Sequence, residues 1–140
     1  MSRLMKMRWF DVDKDFKCPC GSPTCSAPVR PHSLLAYYLD VVRDQYGQPI
    51  IVTSGNRCPE HNRLEGGEDP SEHVWGEGCL GVDVACSTSR DRARLLDAIR
   101  LAGLTRVGIY GKHLHFGCGD YVAPSSFPPT VTWVPKATPA

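Results

Sequence analysis

Two short apolar segments carry ionisable side chains on one alternating face, and they constrain the fold more than any other feature of the sequence. In residues 80–86 (Leu-Gly-Val-Asp-Val-Ala-Cys) the valines point to one side and Asp83 to the other, between Gly81 and Ala85. A buried carboxylate is costly unless a metal or another cation compensates it. The segment therefore predicts a buried strand with space for a cation above Asp83.

The second segment, residues 105–118, predicts a β-hairpin with a two-residue turn at Gly111 and Lys112. His113 and His115 are two residues apart in the returning strand, so their side chains lie on the same face. The residues between and after them face the core: Leu114, Phe116 and Cys118.

His73, Asp83 and His115 form a candidate set of zinc ligands, two imidazoles and one carboxylate. Three protein ligands leave the fourth tetrahedral position open, which is typical of catalytic rather than structural zinc sites. The alternative is that the histidines are ordinary surface or core residues. Spacing alone does not decide between these two hypotheses.

An ordered series of motifs around these residues resembles a known family. The series is Ile-Ile-Val-Thr-Ser-Gly-Asn-Arg-Cys-Pro-Glu-His-Asn at 50–62, Gly66-Gly67, Ser71-x-His73, Gly76, Val82-Asp83-Val84 and His113-x-His115. Over about residues 16–133 the sequence is similar to the zinc D-alanyl-D-alanine carboxypeptidases. That family also resembles the vancomycin-resistance dipeptidases, the bacteriophage endolysin peptidases and the Hedgehog signalling domain.

The resemblance implies roles for individual residues. The ligands of one catalytic zinc would be His73, Asp83 and His115. His113 would be the first histidine of the family's His-x-His pair and would shuttle a proton or stabilise the developing oxyanion. Arg57 would hold the carboxylate of the substrate, because a planar guanidinium suits that task.

Two departures from the family pattern affect these implications. Nine residues, 74–82, separate His73 from Asp83, which is more than the family's usual gap and indicates a loop insertion around residues 76–79. Many relatives also carry a glutamate general base where this chain has Lys112. The candidate replacements for that base are Glu72, Glu77 and Asp120.

The function implied by the resemblance is a zinc-dependent peptidase, a hydrolase that cleaves peptidoglycan stem peptides at or near a D-Ala bond. It would be a D-Ala-D-Ala carboxypeptidase or an endolysin-like endopeptidase, encoded by a bacteriophage and acting as a monomer. The alternative is a catalytically inactive, zinc-stabilised binding module of the same fold, which Lys112 favours.

Composition indicates an ordinary globular domain and limits its partners. Of the 140 residues, 41% are hydrophobic and 22% charged, so we expect a single globular domain over residues 1–140. The resemblance implies that it is a metallopeptidase domain. A net charge of +1 gives no electrostatic reason to expect a nucleic-acid or membrane partner. The basic N-terminus lacks the apolar core of a secretory signal, which predicts a protein made in the cytoplasm. It would reach the cell wall through phage lysis or as a virion component.

Seven cysteines in such a chain favour thiols and metal ligation over disulfides. Cys18, Cys20 and Cys25 lie in a lead-in segment, residues 1–30, with few apolar side chains to order it. They are candidate ligands of a second, structural zinc ion, and the alternatives are free thiols or a disulfide formed on exposure to air or to the cell exterior. The candidates for a fourth ligand are His32, Cys58, Cys79, Cys86 and Cys118.

The remaining pattern predicts an α+β fold. Helices are expected at residues 33–46 and 90–102, a buried strand at 50–53, a short helical turn at 59–64 and a last strand at 130–134. The buried face of the first helix would be formed by Leu34, Leu35, Tyr38, Val42 and Tyr46. That of the second would be formed by Ala93, Leu96, Ile99 and Ala102. We expect a small antiparallel sheet with helices on one face and the metal cleft on the other, followed by a disordered tail at 135–140. The resemblance implies that this fold is of Hedgehog/DD-peptidase type.

Overall fold

The computed structural model describes residues 6–135 of the chain. Its five strands form one sheet in the order β1-β2-β4-β3-β5, in which the first four strands pair antiparallel and β5 pairs parallel with β3. The strands are β1 Val52–Ser54, β2 Gly81–Ala85, β3 Arg106–Ile109, β4 His113–Gly117 and β5 Val131–Trp133. The predicted α+β class is confirmed, with the correction that the sheet is mixed rather than purely antiparallel.

Four helices accompany the sheet: α1 Ser33–Tyr46, α2 Pro59–Leu64, α3 Ser89–Leu101 and α4 Gly119–Val122. The bounds predicted for α1 are confirmed. The helix ends at Tyr46 because Gly47 adopts a left-handed conformation (φ 74°). Thr88 caps α3 by accepting a hydrogen bond from the backbone of Asp91. The predicted helical turn at 59–64 is present as α2.

The buried faces of α1 and α3 differ in part from the predicted ones. In α1, Leu39 is fully buried while Leu34 and Tyr38 are only half-buried. In α3, Ala93 is exposed, and Leu95 and Ile99 provide the core contacts. The larger aliphatic side chains decide which face is buried, because they remove more apolar area from water than an alanine does.

Helices α1 and α3 pack on one face of the sheet and the polar residues lie on the other, whereas the short helices α2 and α4 contact residues of the polar side through Asn62 and Gly119. The core cluster joins buried residues of α1 and α3 to the inward side chains of β2 and β4: Val82, Val84, Leu114 and Phe116. Asp83 and His115 alternate with these residues and therefore project from the other face. The sheet thus separates an apolar core from a polar site.

Strand β1 is less buried than predicted. Ile51, just before it, is 65% exposed, and Val52 is only half-buried. Because β1 lies at the edge of the sheet and has three residues, its β-branched run is not covered on both sides. The prediction of a buried strand at 50–53 was wrong in this respect.

The segment before α1 has no helix or strand between residues 6 and 31. It is anchored by the buried side chains of Phe10, Val12 and Phe16 and by hydrogen bonds from Asn56. At the other end of the chain, most of the predicted tail, residues 136–140, lies outside the described residues. Within residues 6–135, every helix is too short or too polar to cross a membrane.

Candidate metal centre

The strand register brings two of the predicted ligands together. Asp83 of β2 is the direct cross-strand partner of His115 of β4, and Nδ1 of His115 lies 3.0 Å from Oδ1 of Asp83. His73 comes from the loop between α2 and β2, and its Nε2 lies 3.3 Å from the same oxygen. All three side chains are buried.

The spacing of these three side chains fits a tetrahedral zinc ion. Ligand atoms at zinc bond lengths of 2.0–2.2 Å stand about 3.4 Å apart at tetrahedral angles. The candidate ligand atoms of His73, Asp83 and His115 all lie within 4.8 Å of one another, two of the three pairs being at 3.0 and 3.3 Å. A zinc ion can therefore be accommodated here with small movements of the side chains.

The loop insertion predicted between His73 and Asp83 leaves this geometry intact. The backbone N–H of Gly78 donates to the carbonyl of Trp75, and that of Leu80 donates to the carbonyl of Glu72 at 2.8 Å. The second bond brings the chain back beside its starting point before β2 begins. The extra residues are therefore absorbed in a closed turn outside the cluster.

The ring of His73 is oriented by the backbone of the loop that follows β1. Its Nδ1 donates to the carbonyl of Gly55 at 2.7 Å, which leaves Nε2 as the nitrogen directed at Asp83. Metal-bound histidines typically donate their second nitrogen to such an acceptor, because this fixes the tautomer and the ring orientation.

Glu72 does the same for His115. Its Oε1 lies 2.9 Å from Nε2 of His115, and its Oε2 accepts from the backbone N–H of Gly119 at 2.8 Å. Arg106 Nε lies 3.2 Å from Oε2, so the buried carboxylate is both hydrogen-bonded and charge-compensated. Glu72 thus directs Nδ1 of His115 toward Asp83.

From the sequence, Glu72 was only a candidate substitute for the general base, and its orienting contact with His115 was not predicted. The residues that make room for it are glycines in β4 and α4, since a Cβ at Gly117 or Gly119 would come within 2.8 Å of Glu72 Oε2. The glycines were visible in the sequence. Their pairing with Glu72 depends on the fold and was not.

The charges in the cluster are balanced internally. Burial alone would raise the pKa of Asp83, but hydrogen bonds and charge from His115 and His73 hold it well below its usual range. Burial would lower the pKa of His115, but hydrogen bonds to Asp83 and Glu72 outweigh it and raise that pKa to about 9. The two carboxylates thus favour a positive charge at the place where a zinc ion would sit, which is the electrostatic condition for binding one.

Arg57 lies at the site and contacts the oxygen of Asp83 that faces away from His73 and His115. One terminal nitrogen donates to Oδ2 of Asp83 at 3.0 Å, Nε donates to Ser54 at 3.0 Å, and the other terminal nitrogen donates to Asn62 at 3.2 Å. The side chain is 13% exposed. These contacts fix the orientation of the Asp83 carboxylate.

His113 lies beside the cluster and remains accessible. It is the cross-strand partner of Ala85, and its Nε2 lies 3.7 Å from Oδ2 of Asp83. Its ring stacks on Tyr110 with centroids 4.4 Å apart, and its side chain is 33% exposed. Burial lowers the pKa of His113, so the imidazole is largely neutral near pH 7 and can accept a proton.

Aromatic side chains cover the site on the side of β3 and β5. Trp133 lies 5.3 Å from the ring of His115 and donates its indole N–H to the hydroxyl of Tyr110. The indole fits there because Gly108 has no side chain, and a Cβ at Gly108 would come within 2.6 Å of it. The predicted last strand, β5, therefore contributes Trp133 to the wall of the site next to His115.

The other acidic candidates lie in different surroundings. Glu77 is exposed in the inserted loop, and Asp120 is half-buried in α4, where burial raises its pKa. Lys112 is exposed in the hairpin turn.

A second cluster forms from cysteines. The thiols of Cys18, Cys20, Cys25 and Cys58 converge to within 4.8 Å of one another. The other candidates for the fourth position lie elsewhere: His32 accepts from the N–H of Leu34 at the start of α1, and the rest are buried in the core, Cys79, Cys86 and Cys118. All seven cysteines are free thiols.

Comparison with family models decides the class of protein. The model of the family described as Peptidase M15 matches residues 12–118, which is more than half of the 140-residue chain and includes the whole His73–Asp83–His115 cluster. The chain belongs to the peptidase M15 family. A comparison with curated proteins gave no match.

As a member of the M15 family, the chain is a zinc-dependent peptidase of the general D-Ala-D-Ala carboxypeptidase and endolysin type, and its substrate is a peptide. The prediction of a zinc-dependent hydrolase is thereby confirmed. The family match covers the lead-in from residue 12 as well, so the cysteine segment is part of the region shared with the M15 family.

Proposed function

We propose that this M15 peptidase cleaves peptidoglycan stem peptides at or near a D-Ala bond, as a D-Ala-D-Ala carboxypeptidase or an endolysin-like endopeptidase. The observation that carries the proposal is the convergence of His73 Nε2, Asp83 Oδ1 and His115 Nδ1 in a chain of this family. These three atoms would hold one zinc ion and leave its fourth position open.

The chain's own residues would supply orientation and proton transfer. When bound, zinc polarises the scissile carbonyl and lowers the pKa of water toward neutrality. His113 is a partly exposed titratable side chain next to the cluster, and its Nε2 faces the Asp83 carboxylate, as the nitrogens of His73 and His115 do. It would take up the proton lost by the attacking water and pass it to the leaving amine.

Arg57 would bind the carboxylate of the substrate with the part of its guanidinium that the protein leaves free. The group has five N–H donors, and three of them are used by Ser54, Asn62 and Asp83. Two donors remain for a substrate oxygen.

The biological setting belongs to the same proposal. The enzyme would be bacteriophage-encoded, made in the cytoplasm, and would reach the cell wall through lysis or as part of the virion. We propose that it acts as a monomer, because the cluster is complete within one chain.

The direct test is hydrolysis of purified peptidoglycan, followed by mass spectrometry of the products and by the appearance of new amino groups. Release of D-Ala identifies a carboxypeptidase, whereas release of larger peptides identifies an endopeptidase. His113→Ala should lower turnover by about 10²-fold while zinc content stays the same. The matched control is His61→Ala, a histidine paired with Glu65 outside the cluster.

Two results would contradict this assignment. Unchanged turnover in His113→Ala would remove His113 from the reaction. A zinc-loaded wild type that cuts neither stem peptides nor intact peptidoglycan would reject the proposed substrate and favour the binding-module alternative.

Arg57→Lys tests the role of Arg57, because lysine keeps the charge and loses the fork. We expect the KM for a peptide ending in a free D-Ala carboxylate to rise roughly tenfold or more, since a hydrogen bond between charged groups contributes about 1.5–3 kcal/mol. The same peptide with an amidated end should be affected less. An equal loss on both peptides would mean that Arg57 acts only through Asp83.

A further inference from the structure

The segment that carries three of the clustered cysteines has almost no core of its own. Among residues 17–30, all of which the structure describes, only Cys18 is buried, and none lies in a helix or strand. Four thiols nevertheless meet there, three from this loop and one, Cys58, from the start of α2. Because this segment buries so little apolar surface, another interaction is needed to offset the conformational entropy lost when the four thiols are held together.

The arrangement of the sulfurs suits a tetrahedral metal. Four sulfurs bonded to zinc at 2.3 Å stand about 3.8 Å apart, and the four here already lie within 4.8 Å of one another. Two of them also accept backbone hydrogen bonds, Cys18 from the N–H of Cys58 and Cys58 from the N–H of His61, each at 3.4 Å. Such donors stabilise the negative charge of metal-bound thiolates.

We propose that a structural zinc ion is bound by four thiolates, those of Cys18, Cys20, Cys25 and Cys58. Four zinc–sulfur bonds form and four thiol protons are released to solvent, which leaves the site with a net charge of −2. An all-thiolate tetrahedral set has no open position, so this ion takes no part in hydrolysis. Its binding free energy becomes folding free energy for the lead-in segment.

The proposed ion joins this segment to the loop that supports the catalytic cluster. Cys58 directly follows Arg57, whose guanidinium holds Asp83. The carbonyl of Phe16 accepts from the backbone N–H of Asn56 at 2.8 Å, next to Gly55, whose own carbonyl orients His73. Removing the structural ion should therefore loosen both Gly55 and Arg57, and with them the affinity of the His73–Asp83–His115 cluster for zinc.

Metal stoichiometry on the purified full chain tests the proposal independently of any peptidase activity. We expect two zinc ions per chain in the wild type and one in Cys58→Ser. The matched control, Cys86→Ser, changes a buried cysteine outside the cluster and should keep two. His73→Ala should lose the other ion and retain the one bound by sulfur.

Cobalt substitution keeps the test valid if Cys58→Ser fails to fold. Cobalt-loaded wild type should show intense thiolate-to-cobalt charge-transfer absorption, and this absorption should persist in His73→Ala. X-ray absorption spectroscopy of the zinc-loaded protein should show a shell of sulfur atoms near 2.3 Å and a shell of nitrogen and oxygen atoms near 2.0–2.2 Å.

Three results would overturn the proposal. The first is one zinc per chain in the wild type, lost with His73→Ala. The second is two zinc ions in Cys58→Ser, which would exclude Cys58 as a ligand. The third is an intact mass that lacks four hydrogens, as expected if the four thiols form two disulfides, together with no sulfur shell around the metal.

Discussion

At the metal centre, hydrogen bonds to neighbouring residues fix the orientation of each candidate ligand side chain. His73 and His115 each have one ring nitrogen bonded to the protein, the first to Gly55 and the second to Glu72. Asp83 has one oxygen toward the histidines and the other toward Arg57. Each ligand is therefore oriented before a metal arrives, which reduces the entropy lost on binding.

Glu72→Gln tests this orientation. The amide keeps the shape of the side chain but loses the charge that holds Nε2 of His115, so the zinc affinity should fall about 10- to 100-fold. A competition titration against a chromogenic chelator measures the change. The control is Glu77→Gln, an exposed glutamate in the inserted loop.

Unchanged zinc affinity together with lost turnover in Glu72→Gln would give Glu72 a chemical role instead of an orienting one. That outcome would restore the hypothesis that Glu72 replaces the general base absent at Lys112.

The helices and strands show what the sequence could predict. The bounds of α1, the turn of the β3–β4 hairpin and the face carrying Asp83 and His115 followed from local periodicity and turn residues, which report on neighbouring positions. The exposure of Ile51 did not, because it depends on which strand lies at the edge of the sheet. The parallel pairing of β5 also depends on contacts distant in sequence.

The same limit applies to the sites. His73, Asp83 and His115 were found because motif order and strand alternation marked them. Cys58 lies 40 residues from Cys18 in the sequence, although the two are in contact. From the sequence, Cys58 was therefore only one of several candidates for the fourth member of the cysteine cluster. Local spacing identifies the members of a cluster that share an element, whereas members from different elements require the fold.

Within α3, Ile99→Ala and Leu101→Ala separate buried from exposed aliphatic residues. Ile99 is fully buried and Leu101 is 73% exposed in the same helix. We expect Ile99→Ala to lower the free energy of unfolding by about 2–5 kcal/mol. Leu101→Ala should change it by less than about 0.5 kcal/mol. Urea unfolding at fixed zinc concentration measures both, and equal effects would contradict the core described for this helix.

At the scale of the whole molecule, the lead-in segment and the metal centre meet at Gly55. Its Cα faces the backbone of Phe16 so closely that a Cβ there would lie 2.7 Å from Phe16 Cα. Its carbonyl orients His73 at 2.7 Å. Gly55 thus contacts the irregular N-terminal segment on one side and the His73–Asp83–His115 cluster on the other.

Gly55→Ala should therefore affect stability and zinc binding together. The added methyl group must displace backbone, and the carbonyl that orients His73 moves with it. We expect a lower melting temperature and a weaker zinc affinity than in the wild type, measured by calorimetry and by chelator competition. Gly111→Ala is the control, because a Cβ there meets nothing within 4 Å. Loss of stability with unchanged zinc affinity would show that the two regions are independent.

The direct pairing of Asp83 with His115 has one more consequence. Because side chains alternate along a strand, sliding β4 past β2 by one residue would turn His115 into the core and bring Leu114 to the polar face. A chain with that error could not assemble the three ligands. A zinc ion bound by all three side chains would therefore stabilise the sheet only in the register that pairs Asp83 with His115.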